Sequence, residues 1–242
     1  MFYFDPLYVI LAIPGLLLTL WAQWRVNSTY NQYAQVRNAR GITGVQAAEV
    51  LIRQVGLQGQ VNVEGTPGTL SDHYDPRKQT LFLSPEVARS PSVASVGITA
   101  HELGHALQHA QNYGPLNFRM AIVPIVNLGS GLGYIVFFLG FCLATQAQGS
   151  SFIMWLGILL LSGTAIFSLV TLPVEFDASN RAMQMLQASG LLLPQEMQGA
   201  RSVLTAAAWT YVAAAASTLL NLLYYVSLAN STSHRNRQPA RD

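Results

Sequence analysis

Residues 97–109 read GITAHELGHALQH. On an α-helix, positions i and i+4 share one face a turn apart, so His101 and His105 can close on a single metal ion through ring nitrogens at about 2.0–2.1 Å. Glu102 projects roughly a hundred degrees round the same turn, where it reaches a water beside the ion rather than the ion itself. Zinc brings the pKa of such a water towards about 7, and a carboxylate then takes its proton as the water attacks a carbonyl. A helix with incidental histidines would leave two imidazoles and a carboxylate on an apolar element with nothing to pair them. The spacing therefore predicts a hydrolytic zinc site, with His101 and His105 as ligands and Glu102 as general base. Gly104 beside His105 admits close approach of a neighbouring segment or substrate backbone.

A catalytic zinc keeps three protein ligands and one open position. His109 is a weak third: a straight helix puts it about 12 Å along the axis from His101. A carboxylate on another element suits better, and the candidates are Glu175 and Glu196. A second polar cluster, SDHYDPR at 71–77, reads in two ways. Asp and Pro favour a knot of turns, or else His73 or Tyr74 donates a hydrogen bond to a developing oxyanion, a need zinc hydrolases have beyond the metal.

The elements that must position these groups follow from composition. The 242-residue chain is 51% hydrophobic and 10% charged with a net charge of +2, against about 25% charged in ordinary soluble domains. That excludes a broad basic surface for nucleic acid. The single cysteine, Cys142, excludes an intrachain disulfide framework. Four apolar segments, 7–24, 121–145, 152–172 and 203–229, have the roughly 20 residues a bilayer requires. The first is read as an uncleaved anchor: Asp5 stands where a leader is basic, and Trp21 and Trp24 resemble interfacial anchors. Asn127, Asn221 and the glycines Gly129, Gly131 and Gly133 are expected to pack helix on helix, and Pro14 and Pro124 to bend their helices.

The polar region 25–119 is long enough to fold by itself. Val45, Val50, Leu51 and Val55 have helical spacing, VNVEG (61–65) and TLFLS (80–84) read as short strands, and a helix running to Ala110 follows SPSV. The link 173–202 begins with a helix stopped by Gly190, and QAQGSS (146–151) is a tight turn. The tail from Asn230 is polar and expected to lack structure. An even number of crossings puts region 25–119 and link 173–202 on one side of the membrane. Glu175, just past the third span and on the site's side by topology, is therefore the expected third ligand, and Glu196, in a polar stretch where solvent exposure explains a charge, is the less attractive rival.

With LSDHYDPR, AHELGHALQHA and LPVEFDASNRA in this order, the chain resembles the YugP-type family of bacterial membrane zinc metallopeptidases over nearly its whole length, and more distantly the HtpX heat-shock protease and the CAAX prenyl protease. The resemblance implies a membrane-embedded zinc endopeptidase whose third ligand is a glutamate after a later span, which is Glu175 here. Those relatives carry an aspartate four residues beyond that glutamate to orient a zinc histidine, and this chain has Ser179 there. Asp177, Asp72 and Asp75 stay open as the orienting group.

The expected architecture is mainly α: a polytopic membrane protein with four transmembrane helices and a small α+β domain carrying the HExxH helix between helices 1 and 2. The expected divisions are an anchor (1–24), a zinc-protease domain (25–119), a transmembrane hairpin (120–172), a connector with the third ligand (173–202), a fourth transmembrane helix (203–229) and a tail (230–242). Expected partners are a protein or peptide substrate and the lipid bilayer, with a second copy or a membrane-protein adaptor also admitted. Arg25, Arg37, Arg40, Arg119, Arg181 and Arg201 on the site's side outnumber Arg235, Arg237 and Arg241 on the other, which points the site to the cytoplasm of a bacterial plasma membrane. The competing classes are a zinc-binding membrane scaffold that cleaves nothing and a transporter. Glu102 argues against the first, because a scaffold needs no base. Ionisable groups that flank the spans rather than interrupt them argue against the second.

Overall fold

The computed structural model describes residues 5–146 and 151–237. Most of the QAQGSS turn and the last five residues lie outside them. Contacts divide the chain into two units. One comprises Met1–Leu20, Phe118–Thr171 and Val212–Asp242, the other Trp21–Asn117 and Leu172–Tyr211.

Four helices, α1 (Pro6–Ala34), α5 (Gly114–Gln146), α6 (Phe152–Ser189) and α7 (Pro194–Arg237), are each long and apolar enough to cross a membrane. All four run well past the apolar stretches at 7–24, 121–145, 152–172 and 203–229. Hydropathy marks where apolar side chains end, whereas a helix ends where its backbone bonds do. The separate helix expected to begin the link at 173 is absent: α6 runs through Pro173, so Glu175 stands inside a long helix rather than at the start of a new one. Proline removes one backbone donor and crowds the preceding turn, a defect that neighbouring helices accommodate in membrane proteins. The tail expected to be unstructured from Asn230 is likewise helical to Arg237.

In the first unit, α5 and α6 approach to backbone contact. A Cβ on Gly140 would lie 2.4 Å from the Met154 nitrogen, and one on Gly157 would lie 2.5 Å from that of Phe137. Of the three glycines expected to pack, Gly129 and Gly133 face α6, whereas Gly131 faces open space.

The second unit holds the polar region together with the later part of α6 and the early part of α7. Thr43 caps α2 (Gly44–Gln54) in a reciprocal capping box with Gln46. A three-stranded sheet follows in the order β1–β3–β2, formed by β1 (Asn62–Gly65), β2 (His73–Asp75) and β3 (Thr80–Leu83), with β1 parallel and β2 antiparallel to β3. Leu81 and Leu83 bury β3 in the core with Leu51 and Leu103. Part of SDHYDPR is therefore a strand, which its polar composition concealed. The turn chemistry begins at Asp75, whose carboxylate accepts from the Arg77 amide at 2.8 Å, and the turn runs from Pro76 to Gln79 at φ 51°. A short α3 (Pro85–Arg89) leads to α4 (Val93–Ala110), capped by Ser92, which accepts from the Ser95 amide at 3.1 Å. The cap matters because α4 carries the HExxH residues.

Candidate metal centre

α4 turns an almost unbroken small and apolar face inward: Val93, Val96, Ala100, Leu103, Gly104 and Ala106 are all buried. Gly104 is where α6 crosses. A Cβ there would sit 2.5 Å from the Ala178 carbonyl oxygen and 3.2 Å from its Cα, so only glycine lets the two backbones meet. The inward stripe of α6 reads Thr171, Val174, Glu175, Ala178, Ala182 and Met185, buried throughout. Glu175 is the single carboxylate on it, 2% exposed, one turn from the Gly104–Ala178 crossing. A buried charge must be paired or ligate.

The crossing brings that carboxylate onto the histidines. Glu175 Oε2 lies 3.3 Å from His101 Nε2 and 3.5 Å from His105 Nε2, and among the described residues these three form a group able to hold a metal ion. The donor chemistry fits zinc, with two imidazole nitrogens and a carboxylate oxygen. So does the spacing, since ligands at about 2.0–2.1 Å on a tetrahedral ion lie about 3.3–3.4 Å apart. His109 is not in the group; its Nδ1 is 3.0 Å from the Tyr74 hydroxyl. Nor is Glu196, which works at the start of α7. Its carboxylate accepts from the Leu193 and Ala39 amides at 2.8 and 2.6 Å, the first being the return bond of a helix cap.

The far ring nitrogens are held too. His101 Nδ1 lies 3.1 Å from Ser179 Oγ, so the serine at the position where the distant relatives carry aspartate still contacts this histidine. His105 Nδ1 lies 3.0 Å from Gln108 Oε1. The Gln108 amide nitrogen donates to the Val174 carbonyl and to Asp177 Oδ2, both at 2.8 Å. Asp177 is also ion-paired with Arg181. Of the carboxylates left open as orienting groups, Asp177 thus acts one residue removed, through Gln108. Asp72 accepts from the amide and hydroxyl of Ser84 at 2.7 and 3.0 Å, and Asp75 serves its turn. Ser179 and Gln108 were missed because an uncharged side chain gives little signal in a sequence. The clue to Gln108 was a lone amide three residues past His105 on a buried helix face.

Glu102 is tied to the sheet: the Tyr74 amide donates to Glu102 Oε2 at 3.1 Å. Burial pushes the Glu102 carboxyl up and the two imidazoles oppose the shift, while hydrogen bonds and position are set by α4 and β2. Successive strand residues face opposite ways, and the two aromatic candidates separate accordingly. Tyr74 reaches His109 on α4. His73 is exposed, stacks on Phe82 at 4.9 Å between centroids and lies 2.8 Å from the Ser71 carbonyl through Nδ1. Burial, reinforced by Asp75, pushes the Tyr74 hydroxyl up, which keeps it a proton donor.

Residues 8–230 match the family described as "putative neutral zinc metallopeptidase". The chain belongs to this family. It is also 41% identical over 222 residues to "Putative membrane protease YugP" of Bacillus subtilis (strain 168), an alignment covering 92% of this chain and 96% of that protein. No solved structure is a significant match. Membership makes zinc the cofactor and protein the substrate class, and the four long apolar helices fit a membrane protein.

Proposed function

We propose that the protein is a membrane-embedded zinc-dependent endopeptidase that hydrolyses peptide bonds of membrane or membrane-proximal proteins. His101, His105 and Glu175 are its metal ligands and Glu102 its general base. The observation that carries this reading is the convergence of Glu175 Oε2 on both Nε2 atoms beside a carboxylate held by the Tyr74 amide. In this reading region 25–119, with HExxH on the helix between the first two spans, and connector 173–202 form the catalytic part. The remaining segments anchor it.

Zinc bound there supplies Lewis acidity, lowering the pKa of water and polarising the scissile carbonyl. His101 and His105 present Nε2 while Ser179 and Gln108 occupy their Nδ1 sides. Glu102 takes one proton from the attacking water as its oxygen bonds to the carbonyl carbon. It then delivers that proton to the amide nitrogen as the C–N bond breaks, leaving a carboxylic acid and an amine, which exchange the remaining proton to end as carboxylate and ammonium. Of His73 and Tyr74, the geometry favours Tyr74 as donor to the developing oxyanion, because its backbone already touches Glu102. The count of arginines near span ends supports an active site facing the cytoplasm.

The test is Glu102→Gln in purified full-length protein, with zinc content and casein cleavage measured together. Zinc stays near one atom per chain and the fold is unchanged, while hydrolysis drops about 10²–10⁴-fold, the usual loss of a general base. Activity within a few-fold of the parent protein would refute the assignment and favour a zinc-binding scaffold.

A further inference from the structure

Gln108 is a fully buried polar side chain on the apolar face of α4, and its hydrogen bonds leave it one orientation. The Val174 carbonyl can only accept, and so can the Asp177 carboxylate, which is ion-paired with Arg181. Both amide hydrogens are therefore committed to α6, and the atom facing His105 Nδ1 at 3.0 Å is the oxygen Oε1. That oxygen has no hydrogen to give. His105 must carry a hydrogen on Nδ1, which in the neutral ring leaves a bare lone pair on Nε2, the atom 3.5 Å from Glu175 Oε2.

We infer that Gln108 is a positioning residue: it fixes the tautomer of His105 in the ligating form before metal arrives, and it ties that setting to α6, the helix that supplies Glu175. The inference rests on the metal reading of His101, His105 and Glu175. Its two anchors on α6, Val174 and Asp177, flank Glu175 in sequence, so one amide aligns ligands from two helices. His101 has a weaker arrangement, because the Ser179 hydroxyl can donate or accept and so imposes no tautomer. A free imidazole in water samples both tautomers. Removing the Gln108 oxygen returns His105 to that mixture and makes metal binding select the ligating form. Groups that orient metal-bound histidines typically account for 10–100-fold in metal affinity.

The experiment uses the full chain in detergent, labelled with ¹⁵N-histidine and stripped of metal, with the His105 signals assigned by their loss in His105→Asn. At a pH where the His105 ring is neutral, the parent protein is expected to show its hydrogen on Nδ1 and none on Nε2. Gln108→Met, close in volume but without polar hydrogens or an amide oxygen, moves His105 to a mixture. It also weakens zinc about 10–100-fold in competition with a chromogenic chelator. Gln108→Glu keeps an acceptor at Nδ1 and so keeps the tautomer, but it sets a carboxylate against two acceptors on α6 and lowers the melting temperature of the metal-free protein. A residue that merely glued α4 to α6 would lower melting in both variants and move the tautomer in neither.

The inference is overturned if the neutral His105 ring of the parent carries its hydrogen on Nε2 rather than Nδ1, if Gln108→Met leaves the tautomer in place, or if that variant binds zinc within two-fold of the parent. Should Gln108→Met fail to fold, the metal-free spectrum of the parent decides. A parent protein that takes no zinc would refute the metal reading instead, and the tautomer would still be measured separately.

Discussion

Substituting Gly104 by alanine tests the principle on which the whole site depends, that α6 reaches the histidines only because α4 offers no side chain at the crossing. The new Cβ would lie 2.5 Å from the Ala178 oxygen and 3.2 Å from its Cα. Both are backbone atoms of a helix, so no rotamer change relieves the contact. Restoring ordinary separation needs α6 to retreat by roughly 0.5–1 Å, in a core packed too densely to absorb it. Glu175 is one turn away on the same stripe and moves with it, whereas a metal site tolerates errors of only about 0.2 Å in its ligand distances. Overpacking of this kind costs about 1–3 kcal/mol, and the alanine recovers at most about 1 kcal/mol through helix propensity. Metal-free stability should therefore fall by about 0–3 kcal/mol. Zinc affinity should fall further, by about 10–100-fold if 1.4–2.8 kcal/mol of the ligand interaction is lost with the displaced carboxylate. Competition against a chromogenic chelator reads the affinity and thermal melting reads the fold. Gly131→Ala, where a Cβ meets nothing within 4 Å, serves as the control and should change neither. If Gly104→Ala binds zinc as tightly as the parent, the crossing is not what positions Glu175 and the reasoning fails.

Removing His101 or His105 as alanine should abolish zinc binding, whereas His109→Ala should leave metal content intact because its ring is engaged by Tyr74; equal metal loss at positions 105 and 109 would sink the ligand assignment. Glu175→Gln should weaken zinc strongly. Glu196→Gln should leave zinc unchanged and cost about 0.5–2 kcal/mol of stability as a perturbed helix cap, and the reverse pattern on chelator titration and melting would contradict the site. With Cys142 replaced by serine, Ser231→Cys should react with a membrane-impermeant thiol reagent in intact cells and Gln58→Cys only after permeabilisation; the opposite labelling would put the site on the outer face.

The amino-acid sequence determined by itself whatever depends on local spacing and on hydropathy. His101, Glu102 and His105 fall within a single helical turn and a half, so their relation is fixed by 3.6-residue periodicity alone. The four apolar stretches were legible because length and composition suffice to qualify a membrane helix. Glu175 was reachable through the parity of the spans and through family resemblance, without knowledge of any contact. Element ends were less legible. Pro173 suggests a stop that the surrounding helices override, and β2 is hidden in a polar heptapeptide because its strand character comes from pairing with the buried β3 rather than from its own side chains. The inner partners, Gln108 to Val174 and Asp177, Ser179 to His101, and the Tyr74 amide to Glu102, were decided only by tertiary structure. Each joins residues 28 to 78 positions apart, and in each the orienting partner is an ordinary amide or hydroxyl that carries no signal of its own. Such hydrogen bonds acquire their meaning from burial, which excludes water as the alternative partner, and burial exists only once α4 and α6 have met over Gly104.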